Sequence, residues 1–338
     1  MALARFAVVG CGSIGKRHVR NLLALGERDL LAFDPREDRR AEVEALGVSS
    51  TSNLADVWSA KPEAVLVTAP TKLHVSTAIE AASRGCHLFL EKPIADVHDT
   101  ELDRLLDLVS ERRLISLVGC NLRFHPGLLK AKAVIDAGRL GRIVSIRAEF
   151  GLYLPDWHPW EDYRQGYSAR SDLGGGVVLD AIHELDYVRW LMGDITHVAA
   201  LVGKLSRLSI DTEDTASILM RFESGTFGEV HLDYVQRTYT RACTVIGDGG
   251  TLSWGFGDGG GIRVFDGATK AWESSPGPAG WDTNQMYLDE MSHFLCCLAG
   301  AAQPEQDVFE ATRVLDIALA AKESSESCSF VRPRVRAS

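Results

Sequence analysis

Apolar and polar positions change rhythm along the chain. Over the first 120 residues, short apolar runs alternate with amphipathic stretches. Arg5–Val9, Leu30–Phe33, Ala64–Thr68, His87–Leu90 and Ile115–Gly119 read as buried strands. Between them Ile14–Leu25, Arg36–Leu46, Leu73–Arg84 and Val97–Ser110 carry apolar residues at three- and four-residue spacing, as helices covering a sheet do. Strand, helix and strand in succession predict an α/β unit, a doubly wound parallel sheet with right-handed crossovers. From Arg142 onward the texture differs. The run Ile143–Phe150 is followed by a helix and then by Val198–Leu205, Thr215–Phe222, Gly225–Tyr234, Thr240–Ile246 and Ile262–Phe265, joined by Ser-Gly and Gly-Gly turns. That pattern predicts an α+β domain with a large mixed, mostly antiparallel open sheet. Two helical stretches, Asn284–Ala299 and Asp307–Ser324, close the chain. The expected division is residues 1–121 and 122–338, with the C-terminal helix free to pack back on the first domain.

Composition agrees with two globular domains: 338 residues, 46% hydrophobic and 24% charged. With 36 Lys+Arg against 46 Asp+Glu and no block of like charge, nucleic acid and membrane surfaces are poor partners. No apolar run approaches the ~20 residues that span a bilayer. Seven cysteines without a C-x-x-C spacing point to reduced thiols and a cytoplasmic location rather than a disulfide framework. No H-E-x-x-H is present, since His183-Glu184 is followed by Tyr187 where a second ligand would stand, so no metal is expected.

The first chemical motif is Gly10-Cys11-Gly12-Ser13-Ile14-Gly15, a G-x-G-x-x-G between a predicted strand and a predicted helix. The first glycine permits the tight turn, the second lets the main chain approach a pyrophosphate, and the third lets helix and strand pack closely. The helix start at Ser13 and Ile14 offers N–H groups and a positive dipole end to phosphates. Asp34 ends the second strand about 20 residues on, where a carboxylate accepts hydrogen bonds from the adenosine ribose. Dinucleotide binding follows. The carboxylate repels a 2′-phosphate and favours NAD, whereas Arg36, Arg39 and Arg40, unless they are simply a solvated helix face, leave NADP open.

Together with this fingerprint, Thr68-Ala69-Pro70 followed by His74, the run His87-Leu-Phe-Leu-Glu91-Lys92-Pro93, and Gly174-Gly-Gly-Val-Val-Leu-Asp180-Ala-Ile-His183-Glu-Leu-Asp186-Tyr-Val-Arg-Trp190-Leu resemble the Gfo/Idh/MocA oxidoreductases, the family of glucose-fructose oxidoreductase and inositol dehydrogenase. The likeness keeps its order through most of the chain and becomes one of texture after residue 200. It implies a Rossmann domain, hydride transfer between NAD(P) and a secondary alcohol of a sugar, nucleotide-sugar or cyclitol, and a homodimer or homotetramer built by pairing C-terminal sheets.

Glu91 and Lys92 stand at the carboxyl end of a predicted parallel strand, where open α/β sheets place their ligands. A lysine beside bound nicotinamide can hydrogen-bond a substrate hydroxyl and stabilise charge as its proton leaves; a surface lysine is the bland alternative. Pro70, His74 and Glu91 are further expected cofactor contacts, His74 at the nicotinamide ribose or equally on a helix surface. A predicted helix Val177–Met192 puts Asp180, His183, Glu184 and Tyr187 on one stripe, at ~100° per residue, opposite Ile182, Leu185 and Val188. Either that stripe faces solvent, or it lines a cleft in which His183 is the general base and Asp180 orients it. Inositol-dehydrogenase-like members place three residues between aspartate and histidine. Here only Ala181 and Ile182 intervene, which rotates the carboxylate by ~100° and leaves open that Asp180 binds substrate beside His183 and that the proton path runs through Lys92. Asn121 and Arg123 suit polyol or carboxylate groups. The aromatic loop with Trp157, His158, Trp160 and Tyr163 suits stacking on sugar rings or packing within the protein.

The expected activity is a dehydrogenase of CH–OH groups. An NAD-dependent glycosidase using transient oxidation, a non-catalytic dinucleotide-binding regulator and an imine- or biliverdin-type reductase are the alternatives, and the presence of Glu91-Lys92-Pro93 and His183 argues for chemistry.

Overall fold

A computed structural model describes residues 5–157, 159, 162–257 and 259–334. His158 and Trp160 of the aromatic loop lie outside the described residues. The chain divides into two compact units, one of residues 1–120 with 287–312 and one of residues 121–286 with 313–338.

The first unit alternates strands and helices: β1 (Phe6–Val9), α1 (Ser13–Ala24), β2 (Leu30–Phe33), α2 (Glu37–Glu44), β3 (Ser49–Thr51), α3 (Leu54–Ser59), β4 (Ala64–Val67), α4 (His74–Ser83), β5 (His87–Leu90), α5 (Thr100–Glu111) and β6 (Ser116–Val118). The strands form one parallel sheet in the order β3-β2-β1-β4-β5-β6, so the connection reverses direction between β1 and β4. Every residue of β1 (FAVV) and β4 (AVLV) is buried, as the central strands of a sheet covered on both faces must be. Helix α5 shows how local sequence sets an element. The Asp99 side chain accepts from the N–H groups of Glu101 and Leu102, and Leu102, Leu105, Leu106 and Val109 make its buried stripe. Phe6, Val8, Val19, Leu22, Phe89 and Leu117 form the core, joined by Met291 and Phe294.

The second unit contains α6 (Pro126–Asp136), β7 (Ile143–Tyr153), α7 (Leu154–Trp157), α8 (Val177–Asp180), α9 (His183–Met192), β8 (Ile195–Gly203), β9 (Thr215–Phe222), β10 (Phe227–Asp233), β11 (Val235–Gly247), β12 (Gly250–Gly255), β13 (Ile262–Asp266) and β14 (Ala271–Ser275). Helices α10 (Asn284–Leu298) and α11 (Val308–Ser327) follow, and the unit boundaries run through both. The strands form one sheet in the order β14-β13-β12-β11-β7-β10-β9-β8. Its β7–β10 pair is parallel and its other pairs are antiparallel. Strand β9 alternates strictly: Ala216, Ile218, Met220 and Phe222 are buried, while Ser217, Leu219 and Arg221 are exposed or half-exposed on the other face.

The expected parallel sheet and the mixed open sheet are both present. Several elements differ from expectation, β12, β14, α3 and α6 among them. Strand β12 has a buried Leu252 and Trp254 at alternate positions, but glycines bound it and hide its period. Strand β14 is an edge strand exposed throughout and carries no apolar alternation. Helix α3 is only six residues long, and α6 opens with Pro126-Gly127, which reads as a turn. The predicted helix Val177–Met192 is interrupted: Ala181, at φ −90° and ψ 31°, separates α8 from α9.

His125 is buried within the second unit. Its Nδ1 accepts from the Gly127 N–H at 3.1 Å and so caps α6, while its ring packs against Trp254, Phe256 and Trp281. Burial, with the Arg241 charge behind it, pushes the imidazole from 6.5 down to about 4. The unfolded chain therefore takes up a proton that the folded chain refuses. Stability rises with pH across this window and falls as the medium is acidified from 6.5 towards 4, by about 3 kcal/mol at ~1.4 kcal/mol per pKa unit. His125→Asn keeps a cap acceptor and cannot titrate, so its curve of melting temperature against pH is expected to be flatter over that interval. An equally steep curve in the variant contradicts the assignment.

Candidate active site

All the first unit's candidate residues follow the carboxyl ends of parallel strands: Gly10 after β1, Asp34 after β2, Pro70 after β4 and Lys92 after β5. The three fingerprint glycines do different work. Gly10 has φ +104°, and a Cβ there would lie 2.7 Å from the Ala69 nitrogen. At Gly15 a Cβ would lie 1.9 Å from the Gly10 oxygen, so α1 rests directly on the turn. At Gly12, by contrast, a Cβ would meet among the described residues only the Arg39 guanidinium, at 3.9 Å. The fold therefore does not require glycine at 12, whereas a pyrophosphate reaching the bare main chain does. Among the described residues no side chain caps α1, and its first residue, Ser13, is exposed, which leaves the helix start open to an anion. The residues present fit a dinucleotide.

Asp34 is buried, and its carboxylate accepts from the N–H groups of Cys11 at 2.8 Å and Arg36 at 2.9 Å. It thus ties the second strand end to the glycine turn. The neighbouring arginines separate in role: Arg36 pairs with Asp38, Arg40 donates to the Asp34 and Pro35 carbonyls, and Arg39 stands 3.5 Å from the Asp34 carboxylate. Thr68 holds the turn from the other side by donating to the Gly10 carbonyl at 2.6 Å. The Cys11 thiol is pushed up to about 12, by burial first and then by the Asp34 charge, and stays a neutral filler.

Lys92 is half-buried. The Glu91 carboxylate accepts from the Lys92 N–H at 3.2 Å and contacts His18 Nε2 at 2.7 Å. Burial alone would raise the Glu91 carboxyl; the His18 bond and nearby Lys92 outweigh it and hold the group below its ordinary value. His74 differs from expectation. It is buried, with Nδ1 2.8 Å from the Pro93 carbonyl and Nε2 2.8 Å from the Ala69 carbonyl, so both nitrogens are committed to main chain rather than to a ribose. Its ring clamps the Lys92-Pro93 turn, whose peptide is cis, to the loop after β4. Burial lowers its pKa against the pull of the two carbonyls.

In the second unit, Asp180 ends α8 and His183 opens α9, both buried. Asp180 Oδ2 accepts from the Ser168 hydroxyl at 2.5 Å and the Tyr234 hydroxyl at 2.9 Å. Burial, then the Asp180 charge, pushes Tyr234 well above 10, so it remains a donor. Ser168 and Tyr234 were not among the expected site residues; 12 and 54 residues from Asp180, they lie beyond any local motif.

The expected polar stripe does not face one cleft. Glu184 is buried and pairs with Arg241 at 2.7 Å, and the Tyr187 hydroxyl donates to the Ala242 carbonyl at 3.5 Å. Because the helix breaks between Asp180 and His183, rotation about a single axis does not describe the spacing of that pair. Arg123 also differs: its guanidinium grips Asp186 through Nη2 at 2.8 Å and Nε at 3.0 Å, with both residues buried, and is directed at a carboxylate of its own unit. Asn121 is buried. Tyr163 accepts from the Ser209 N–H at 3.3 Å, whereas Trp157 is exposed and packs edge-on to Phe150.

Fingerprint, strand order and the residues at the strand ends define a two-part oxidoreductase whose first part is an NAD-binding Rossmann fold. Residues 4–120 match the oxidoreductase family with an NAD-binding Rossmann fold, and residues 128–253 match the GFO/IDH/MocA C-terminal domain. The chain belongs to the Gfo/Idh/MocA family and is an NAD-dependent dehydrogenase. It is 33% identical over 259 residues to a myo-inositol dehydrogenase of Streptomyces leeuwenhoekii, covering 74% of this chain and 76% of that one. It is 30% identical over 238 residues to the myo-inositol 2-dehydrogenase of Thermotoga maritima, covering 67% of each. Its fold is like that of a levoglucosan dehydrogenase solved with NADH and levoglucosan, with a TM-score of 0.87 at 22% identity, covering 98% of this chain and 100% of that one. Among the described residues no helix is long and apolar enough to cross a membrane.

The glycines supply a test. Gly12→Ala is expected to fold with an unchanged melting temperature and to lose NADH affinity at least tenfold in a fluorescence titration. Gly15→Ala is expected to lower the melting temperature itself, because its Cβ overlaps the Gly10 carbonyl. Equal effects of the two changes on stability would overturn this division.

Proposed function

We propose that the chain oxidises a ring secondary alcohol of a cyclitol or sugar with NAD. Bound nicotinamide supplies the hydride acceptor, and the protein's residues orient the alcohol and handle its proton. The Lys92 ammonium donates a hydrogen bond to the alcohol oxygen and steadies its growing negative charge. His183 takes the hydroxyl proton, and Asp180, fixed by Ser168 and Tyr234, orients the reacting polyol and the imidazole. The observation that carries the reading is Lys92 at the carboxyl end of β5, its main chain fixed by Glu91 on one side and its neighbour Pro93 by His74 on the other. The substrate class is supported by the inositol dehydrogenases to which the chain is similar and by the levoglucosan held in a protein of like fold.

The test is absorbance at 340 nm with NAD and a panel of inositols, aldoses, levoglucosan and UDP-sugars. Turnover of at least one polyol is expected, and no change with any of them overturns the reading. Lys92→Met and His183→Asn are each expected to lower kcat by about 10²–10⁴, the range for a positioned acid or base, while keeping NADH affinity within threefold.

We further infer that the open face of the eight-stranded sheet is where two copies of this chain meet. Leu201, Phe227 and Leu219 are 76%, 60% and 55% exposed there, more apolar surface than a solvated strand face needs. Light scattering is expected to give a dimer or tetramer, and Leu219→Glu with Phe227→Glu to lower its mass; a monomeric parent chain counts against this interface.

A further inference from the structure

The first unit holds one buried ionisable pair that the proposed chemistry does not use directly. His18 lies on the face of α1 that Gly15 presses against β1, and its ring is fully buried. It packs edge-on to Phe89, with centroids 4.8 Å apart, and to Tyr287 at 6.4 Å. Its Nε2 meets Glu91 Oε1 at 2.7 Å, while its Nδ1 is buried without a hydrogen-bond partner among the described residues. Gly119 closes the other side of the carboxylate: a Cβ there would lie 3.1 Å from Glu91 Oε1 and 3.3 Å from Oε2. The carboxylate also accepts from the Lys92 N–H.

A buried pair of this kind is weak support for stability, since removing two charges from water costs several kcal/mol per ion before their attraction repays any of it. Its position gives it another use. The carboxylate meets an imidazole on one side and the Lys92 peptide on the other, with Gly119 packed close against it, so the group it holds is the lysine. We propose that His18 and Glu91 are positioning residues for Lys92: the imidazole locks the carboxylate, and the carboxylate sets the direction in which the lysine leaves the sheet and the charge that its ammonium feels. The role of Lys92 in turnover rests on the function proposed above; its placement by the pair does not. Tyr287 on α10, which packs on His18, has as charged neighbours Glu91 and Lys92 after β5, Arg17, whose guanidinium lies 4.3 Å over its ring, and Glu290.

Two readouts separate positioning from general support. In the apoprotein, trace acetylation by acetic anhydride at a series of pH values, with the Lys92 peptide quantified by mass spectrometry, reports the titration of that lysine without any substrate. Glu91→Gln removes the neighbouring negative charge and is expected to lower the Lys92 midpoint by at least half a pH unit. His18→Leu is expected to move the midpoint as well, whereas His18→Gln, which keeps a donor for the carboxylate, leaves it near the parent value. In the second readout, His18→Leu and Glu91→Gln are expected to reduce kcat at least twentyfold, on the panel polyol turned over fastest, with NADH affinity within threefold of the parent. His18→Gln is expected to restore kcat to within threefold.

Labelling and turnover unaltered in both His18→Leu and Glu91→Gln overturn the proposal. So does a loss of NADH affinity and melting temperature in step with kcat, which marks a merely structural pair. Should His18→Leu fail to fold, Glu91→Gln, of unchanged size, still decides. Lys92→Met keeps the two readings apart: full turnover in that variant sinks the role of Lys92 as donor to the alcohol oxygen, while the labelling midpoints of the His18 and Glu91 variants continue to judge the pair.

Discussion

How closely helix α1 approaches strand β1 governs the cofactor end of the first unit. With the carbonyl of Gly10 under the α carbon of Gly15, the helix start lies directly over the turn, and the N–H groups of its first residues are left for a ligand. The same approach sets the depth at which His18 enters the interior, and so brings its imidazole to Glu91. Asp34, the Thr68 hydroxyl and the glycine turn then brace one another through the Cys11 N–H and the Gly10 carbonyl. A single close contact between two stretches of main chain thus organises the open start of α1, the Asp34 carboxylate and the peptide that carries Lys92.

The second unit is organised by buried polar pairs instead. Arg123 with Asp186 and Arg241 with Glu184 place two guanidinium–carboxylate contacts among apolar neighbours, and Asp180 is held by two hydroxyls. Each carboxylate removed from water needs such partners, and removal of either member leaves a charge stranded. Their directional bonds tell one face of α9 from another more sharply than packing of Leu185 and Val188 does. The ionic side chains of this region are therefore mostly architecture, and Asp180 and His183 stand out as the pair at the break between two helices.

Much of the fold was legible from periodicity. The apolar runs of β1, β2, β4 and β5 agree with the observed strands to within a residue, because strands buried on both faces must be apolar throughout. Strand β14, exposed on both faces at the sheet edge, carried no such mark. The helix break at Ala181 was equally silent, since alanine favours a helix and only the surroundings bend the chain there. Among the candidate site residues, the glycines, Asp34 and Lys92 stand where motif and strand position put them. The readings of Arg123 and His74 as ligand contacts differ from the structure for one reason: each acquired a partner distant in sequence or supplied by main chain, Asp186 for the guanidinium and two carbonyls for the imidazole.

Sequence by itself determined the elements whose cause is local: the parallel sheet, the glycine turn before α1, the carboxylate after β2 and the lysine after β5. These follow from side-chain size, backbone freedom and alternation, all of which act within a few residues. Tertiary structure alone decided which charges became partners. His18 reaches Glu91 across 73 residues and Tyr234 reaches Asp180 across 54. A hydrogen bond depends on the final distance between two groups, and no local pattern encodes that distance until the chain has packed.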